Sequence, residues 1–300
     1  MKRSRFYKGF YVFLIPGLIG LTLIIILPFL VTFLASFTRW NGVNPPTWVG
    51  LANYQRAVSD SKFWASFANN LVMILAVTVI PTTVGIGFSV FLFDYVAKRY
   101  SSAAANLVKS ILYIPQVLPV AIAGVAWGWI LNPNWGSFNY ILTALGLQDW
   151  IHNWLGDPAT ALPTVMCIMV WFQIGYPLVI FMSALQRADP ELLEAAELDG
   201  AGWFQKLFYI TIHQIQPEIF VVLLTTTVYS LKIFGQIYVL TRGGPGMATI
   251  VPSFYTYQAL FEQANVGYGS TIATAMTLII ILLTFLFIRF QVKQQFGEGQ

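Results

Sequence analysis

From Phe10 to Phe37 the chain runs 28 residues without an Asp, Glu, Lys or Arg. A helix rises about 1.5 Å per residue, so about 20 apolar residues cross a hydrocarbon layer about 30 Å thick. Inside such a layer the backbone must satisfy its own hydrogen bonds, which leaves only helices or closed barrels. Five further stretches meet the length: 71–96, 111–131, 162–185, 219–240 and 272–290. Barrel strands would show alternating segments of about 10 residues, and nothing here alternates over that distance. The sequence therefore predicts an all-α integral membrane protein with six transmembrane helices. Charge agrees: Asp, Glu, Lys and Arg make up 9% of the 300 residues, too few to clothe a water-soluble surface. The single cysteine, Cys167, excludes an intrachain disulfide and a cysteine zinc site.

The first apolar run follows Lys2, Arg3, Arg5 and Lys8. It is nearly twice the length of a cleavable signal's apolar region, about 7–15 residues, so it reads as a span. Orientation follows from Lys and Arg. With Lys98, Arg99, Lys109, Arg187, Lys206, Arg289 and Lys293, the first tail's four make eleven on one side, against Arg39, Arg56, Lys62 and Arg242 on the other. That imbalance predicts both termini in the cytoplasm, with tails at 1–9 and 291–300. The outer segment 132–161 lacks Lys and Arg. Within it, 138–146 reads as a short amphipathic helix closed by Gly146, and Trp150 and Trp154 suit a headgroup region.

The cytoplasmic loop at 187–217 differs from the others. From Arg187 to Glu218 it holds six of the chain's 12 acidic residues and two basic ones. Asp189 is a good N-cap, Pro190 fits the first helical position, and Glu191 suits the helix dipole. Gly200 and Gly202 end this helix, and Trp203 begins a second. The pattern reads as a helix, a glycine hinge and another helix at the membrane surface.

At these residues the sequence resembles a known family. Glu194-Ala195-Ala196, then Asp199-Gly200-Ala201-Gly202 and Ile210, is similar to the EAA loop of membrane subunits in binding-protein-dependent ABC importers. The carbohydrate-uptake branch (MalF-like and UgpA-like subunits) is the nearest in pattern. Trp171 to Pro177, the Gly243-Gly244-Pro245 segment and Gly50-Leu51-Ala52-Asn53-Tyr54 resemble the same group. The likeness implies an ABC type I importer permease fold with a single permease domain over about 66–290. It implies a carbohydrate solute (an oligosaccharide, a disaccharide or a glycerol-phosphate-like compound), the alternative being an importer for a non-sugar solute. It further implies a second homologous permease subunit (MalG-like), a dimer of ATPase subunits (MalK-like), an extracytoplasmic solute-binding protein, and a bacterial or archaeal cytoplasmic membrane. One departure stands out: the motif usually ends in proline, and here His213 takes that place. The second helix is accordingly expected to run straighter, into Pro217.

The residues support this division of labour independently. A phosphate-binding loop needs Gly followed by Lys, and no glycine here precedes a lysine. ATP and its magnesium are expected on the partner, with no cofactor, metal or catalytic residue in this chain. A proton- or ion-coupled transporter wants a carboxylate deep in a span, and Asp94 sits only near a span end. An embedded enzyme wants clustered acid, base or metal groups, and the two histidines, His152 and His213, stand apart.

Polar groups inside spans are costly and so informative. Span five holds Thr225, Thr226, Thr227, Tyr229, Ser230, Lys232 and Gln236. Aligned on the Gly-Gly-Pro segment, the resemblance implies solute contacts at Thr226, Tyr229 and Ser230; aligned on Gly175-Tyr176-Pro177, it implies Trp171 and Gly175. Aromatic rings with hydroxyls suit a sugar's apolar face and polar rim. For Thr225 and Thr227 the sequence favours bonds back to their own helix. Gln173 and Lys232 are expected on the translocation path or against the partner permease.

Overall fold

The computed structural model describes residues 10–297. The predicted tail at 1–9 and the last residues of the C-terminal tail lie outside the described residues. Uninterrupted apolar sequence, helical despite Pro16 and Pro28, gives α1 (Phe10–Leu21), a π-helical turn (Thr22–Ile26) and α2 (Leu27–Ala35). A two-stranded antiparallel ribbon follows, β1 (Thr38–Arg39) and β2 (Thr47–Trp48), in register Thr38↔Trp48 and Arg39↔Thr47. Next come α3 (Ala52–Ser59), α4 (Ser61–Val90), a π turn (Phe91–Val96) and α5 (Ala97–Arg99). They lead to α6 (Ser102–Val117), α7 (Val120–Ile130), α8 (Ser137–Ala144), α9 (Pro158–Gln173) and α10 (Gly175–Leu185). The loop beyond carries α11 (Pro190–Leu198), α12 (Trp203–Lys206), a π turn (Leu207–Thr211) and α13 (Ile212–Gln214). The chain ends with α14 (Gln216–Leu231), α15 (Gly235–Leu240), α16 (Pro252–Tyr257), a π turn (Gln258–Glu262) and α17 (Val266–Gly297).

Among the described residues four helices are long and apolar enough to cross a membrane: Phe13–Ala35, Ser61–Arg99, Pro158–Leu185 and Val266–Lys293. Two bent pairs bring the count to as many as six, Ser102–Val117 with Val120–Ile130 at 96° and Trp203–Gln214 with Gln216–Leu231 at 73°. The segment expected at 111–131 is thus not one straight helix. Leu118 precedes Pro119 and takes extended angles, φ −67° and ψ 134°, because a following proline crowds the α region. The segment expected at 219–240 also breaks, after Leu231. The expectation of a straight run into Pro217 needs the same correction. α13 continues to Gln214, but Ile215 (φ −100°, ψ 11°) turns the chain by 73° just before Pro217 enters the first turn of α14. With histidine at 213, the chain breaks at Ile215.

The chain divides into two compact units. One comprises residues up to Phe63 with Tyr255–Leu278. Its centre is polar. Asn53 Nδ2 donates to Ser36 O (2.9 Å) and Thr38 O (2.8 Å), and Tyr54 bonds the Ser36 hydroxyl. These bonds give the Gly-Leu-x-Asn-Tyr pattern its physical reason. A Cβ on Gly267 would lie 1.9 Å from Thr38 O, so only glycine fits. Asp60 accepts from the hydroxyls of Tyr255 and Tyr268, and the Arg56 guanidinium stands 4.0 Å over the Tyr268 ring. Burial pushes the Asp60 carboxyl up, but these donors and the Lys62 amide outweigh it and hold it below its usual value.

The other unit, Trp64–Phe254 with the chain from Ile279 onward, is a helix bundle. Its helices approach at small residues. A Cβ on Gly85 would meet Pro177 at 2.7 Å, and one on Gly124 would meet Val239 at 2.7 Å. Phe181, Leu185, Leu207, Ile215 and Val222 form one buried cluster; Leu92, Ala105, Leu178 and Met182 form another.

Candidate functional site

The loop between α10 and α14 is built by its caps. Asp189 Oδ1 accepts from the Glu191 amide at 2.9 Å, opening α11 at Pro190. At the other end Gly200 takes φ +77°, a left-handed conformation that disfavours any Cβ. The Gly200 amide donates to Glu197 O (3.1 Å) and the Ala201 amide to Ala196 O (2.9 Å), the pair of bonds that closes a helix at such a glycine. Gly202 starts the next helix, its amide bonded to Gln205 Oε1 at 2.7 Å. Two ion pairs clasp the loop: Lys206 with Glu197 at 2.5 Å, and Arg187 with Glu218 at 2.7 Å. The hydrogen bond from Lys206 holds the Glu197 carboxyl below its usual range.

This architecture leaves the motif outermost. Glu194, Ala195, Asp199, Gly200 and Gly202 are exposed, Ala196 and Ala201 partly so. Glu194 makes no ion pair among the described residues. Leu198 is 90% exposed, and Trp203, Phe204, Phe208 and Tyr209 are exposed beside it. Open apolar side chains thus stand beside the charged residues of this loop. Behind α11 lies a cleft of about 390 Å³, lined by Asp94, Lys98, Leu193, Glu197, Trp203 and Thr211.

The solute candidates separate into two groups. Trp171 and Tyr229 stay open, at 37% and 36% exposure. Trp171 meets Trp127 edge-on, with centroids 5.4 Å apart; the Tyr229 hydroxyl accepts from Gln236 Nε2 at 2.8 Å. No described hydrogen bond or ring contact joins Trp171 to Tyr229. Gly175, Thr226 and Ser230 instead face inward. A Cβ on Gly175 would lie 2.6 Å from Leu112 O. Thr226 and Ser230 are fully buried, and Thr226 Oγ1 bonds back to Val222 O at 2.7 Å. The back-bonding expected at Thr225 does occur, to Val221 O at 2.7 Å, and its hydroxyl also meets Tyr176 at 3.0 Å. Gln173 is buried, its Oε1 without a partner among the described residues. Lys232 caps the end of α14 and is exposed.

Sequence reasoning passed over Asn69, Asn70 and the role of Gln236. The signal was present: two adjacent amides at the head of an apolar helix carry a cost in lipid unless they are bonded. Among the described residues no group of three His, Cys, Asp or Glu is placed to hold a metal.

Comparison with known proteins fits this geometry. The model of the family of binding-protein-dependent transport system inner membrane components matches residues 85–295. The chain is 32% identical to the probable ABC transporter permease protein YurN of Bacillus subtilis, over 93% of this chain and 94% of that protein. It is 30% identical to the trehalose/maltose transport system permease protein MalF of Thermococcus litoralis, over 93% and 92%. It is 28% identical to the diacetylchitobiose uptake system permease protein NgcF of Streptomyces coelicolor, over 97% and 84%. Among solved structures, a chain of a bacterial ABC transporter that imports alginate superposes with a TM-score of 0.83, at 20% identity, over 97% of this chain and 99% of that one.

Proposed function

The chain belongs to the inner membrane components of binding-protein-dependent transport systems, and from that premise we propose that it forms half of the translocation pore of an ATP-driven carbohydrate importer. The permease itself is a multi-pass membrane protein and a transport component. In this reading six spans, two of them bent, place both termini in the cytoplasm and the 187–217 loop beside them. The observation that carries the reading is the exposed α11 with its bare apolar tip and capped glycine turn.

Glu194, Ala195, Ala196, Asp199, Gly200, Ala201 and Gly202 form the surface that docks on the partner ATPase. Glu194, unpaired here, meets a basic group of that partner, while Leu198 enters an apolar cleft. The two ion pairs, Glu197 with Lys206 and Arg187 with Glu218, transmit displacement of α11 to α14. α14 carries Tyr229, so movement at the loop reaches the solute path as a rigid shift, the basis of alternating access. ATP and magnesium act on the ATPase dimer; a second permease subunit completes the pore and an outer binding protein delivers the solute.

A carbohydrate is favoured because relatives over nearly the whole chain are named for trehalose/maltose and diacetylchitobiose uptake. Trp171 and Tyr229, open and aromatic, are the primary contacts. Gly175, Thr226 and Ser230 shape the wall behind them, and Gln173 and Lys232 line the path. The test is cross-linking. With an added thiol oxidant, Leu198→Cys should form a disulfide to a cysteine placed in the ATPase cleft; the disulfide should disappear in Gly200→Trp, together with at least a tenfold loss of solute-stimulated ATP hydrolysis. Full stimulation in Gly200→Trp would remove the loop from the coupling route.

A further inference from the structure

The fifth apolar segment is discontinuous. α14 stops at Leu231, Lys232 takes φ −99° and ψ 9°, and α15 begins at Gly235. Carbonyls at such a break need donors from the protein, because lipid has none. Asn70 Nδ2, on α4, donates to Ser230 O at 3.0 Å, and Ser253 Oγ donates to Ile233 O. The neighbouring Asn69 Nδ2 donates to Met247 O and Ile250 O, at 3.0 Å each, in the chain that returns after α15. Successive helix residues diverge by about 100°, so the two amides point to different sides and grip different strands of the same feature. Asn70 and Ser230 are 1% and 0% exposed, so the first grip is sealed from solvent and lipid.

The break also carries the candidate solute group. Tyr229 lies on its near side and Gln236 on its far side, joined by the 2.8 Å hydrogen bond between them. The angle of the chain at 232–234 therefore sets where the Tyr229 ring stands. α15 is fixed from behind as well, since a Cβ on Gly235 would meet Val120 at 3.1 Å.

We propose that Asn69 and Asn70 are positioning residues: from α4, Asn70 holds the near side of the break at Ser230 and Asn69 holds the 247–250 chain that follows α15, and together they fix Tyr229 for the solute. The clamp is read from the geometry alone; its service to the solute rests on the function proposed above. A buried amide in an apolar helix is retained against the cost of desolvating it; here Asn70 adds a 3.0 Å donor to Ser230 O, which keeps a long 3.4 Å bond from the Ile233 amide, and Asn69 bonds carbonyls of the following loop.

The experiment uses the assembled, full-length complex and the variants Asn70→Leu, Asn70→Gln and Tyr229→Ala. Asn70→Leu keeps the branched shape and removes the donor; Asn70→Gln, also larger than Asn, keeps a donor. Hydrogen exchange of amides 232–236 should be at least tenfold faster in Asn70→Leu and near wild type in Asn70→Gln. Uptake in Asn70→Leu should show an about tenfold higher half-saturating solute concentration at an unchanged maximal rate, as should Tyr229→Ala. Unchanged exchange in Asn70→Leu overturns the clamp. A lower maximal rate with unchanged half-saturation overturns the positioning role. Faster exchange with half-saturation unaltered in both Asn70→Leu and Tyr229→Ala upholds the clamp and removes the Tyr229 contact instead.

Discussion

Gly175→Ala separates packing from solute contact at one position. Glycine there lets the start of α10 lie against the backbone of α6. The added Cβ would stand 2.6 Å from Leu112 O, 2.7 Å from Tyr113 Cα and 3.1 Å from the Leu112 carbonyl carbon, where ordinary contact begins at 3.4 Å. The overlap is with main chain on a helix, so no side chain can swing away. Relief requires α6 and α10 to separate by several tenths of an ångström. That separation loosens the cluster of Leu178 and Met182 against Leu92, Ala105 and Leu112, and gaps of about 0.5–1 Å forfeit a quarter to a half of each contact's attraction. Overpacking of this kind costs about 1–3 kcal/mol, with backbone clashes at the upper end. Alanine's better helix propensity returns about 1 kcal/mol, which leaves a net loss of about 2 kcal/mol. Gly87→Ala is the control: it meets nothing within 4 Å and gains the propensity alone. The assay is thermal unfolding of the purified full-length chain in detergent. The expected midpoint falls by about 4–8 °C for Gly175→Ala and is unchanged or higher for Gly87→Ala. Uptake by the Gly175→Ala protein that does assemble should keep its half-saturating concentration. A midpoint equal to wild type would refute the packing argument, and raised half-saturation with full stability would return Gly175 to the solute.

Further outcomes follow from the same geometry. Asp60→Ala leaves the Tyr255 and Tyr268 hydroxyls without their acceptor and should cost about 2–3 kcal/mol by chemical unfolding. Because the Asp60 carboxyl is held below its usual value in the fold, its contribution is present above the ordinary carboxylate pKa and lost as pH falls through the lowered one. The wild-type midpoint should therefore decline on acidification more than that of Asp60→Ala. Lys206→Met breaks the clasp to Glu197 and should speed hydrogen exchange at 203–206 without changing exchange in α4. Gly200→Ala, at φ +77°, should cost about 1 kcal/mol of local order, read as faster exchange of the 200 and 201 amides.

That the chain is built of long apolar helices was legible because apolar length has one interpretation in a chain so poor in charge. Asp189, Pro190, Gly200 and Gly202 were legible as well, since caps are local chemistry and needed no knowledge of the fold. What lay hidden is which side of each helix faces inward. In a soluble helix a polar stripe marks the outside, but lipid is as apolar as a core, so Thr226 and Ser230 looked as open as Tyr229. The bends were partly visible. Pro119 announces the turn at Leu118 and Pro217 follows the turn at Ile215, whereas the break at Lys232–Phe234 has only Gly235 beside it and stands on bonds from Asn70 and Ser253 that are distant in sequence. His213 was a misleading sign, because the loss of one proline does not straighten a chain whose next helix starts with another at 217.

In the proposed coupling, this chain moves solute only when a separate ATPase drives it through the 187–217 loop. The most direct measurement of this coupling is solute accumulation in proteoliposomes holding the permease pair, with the outer binding protein added and ATP supplied on the opposite side. Solute should accumulate with wild-type ATPase, but not with an ATPase unable to hydrolyse ATP and not with Gly200→Trp. Accumulation in vesicles that contain no ATPase at all would contradict this coupling.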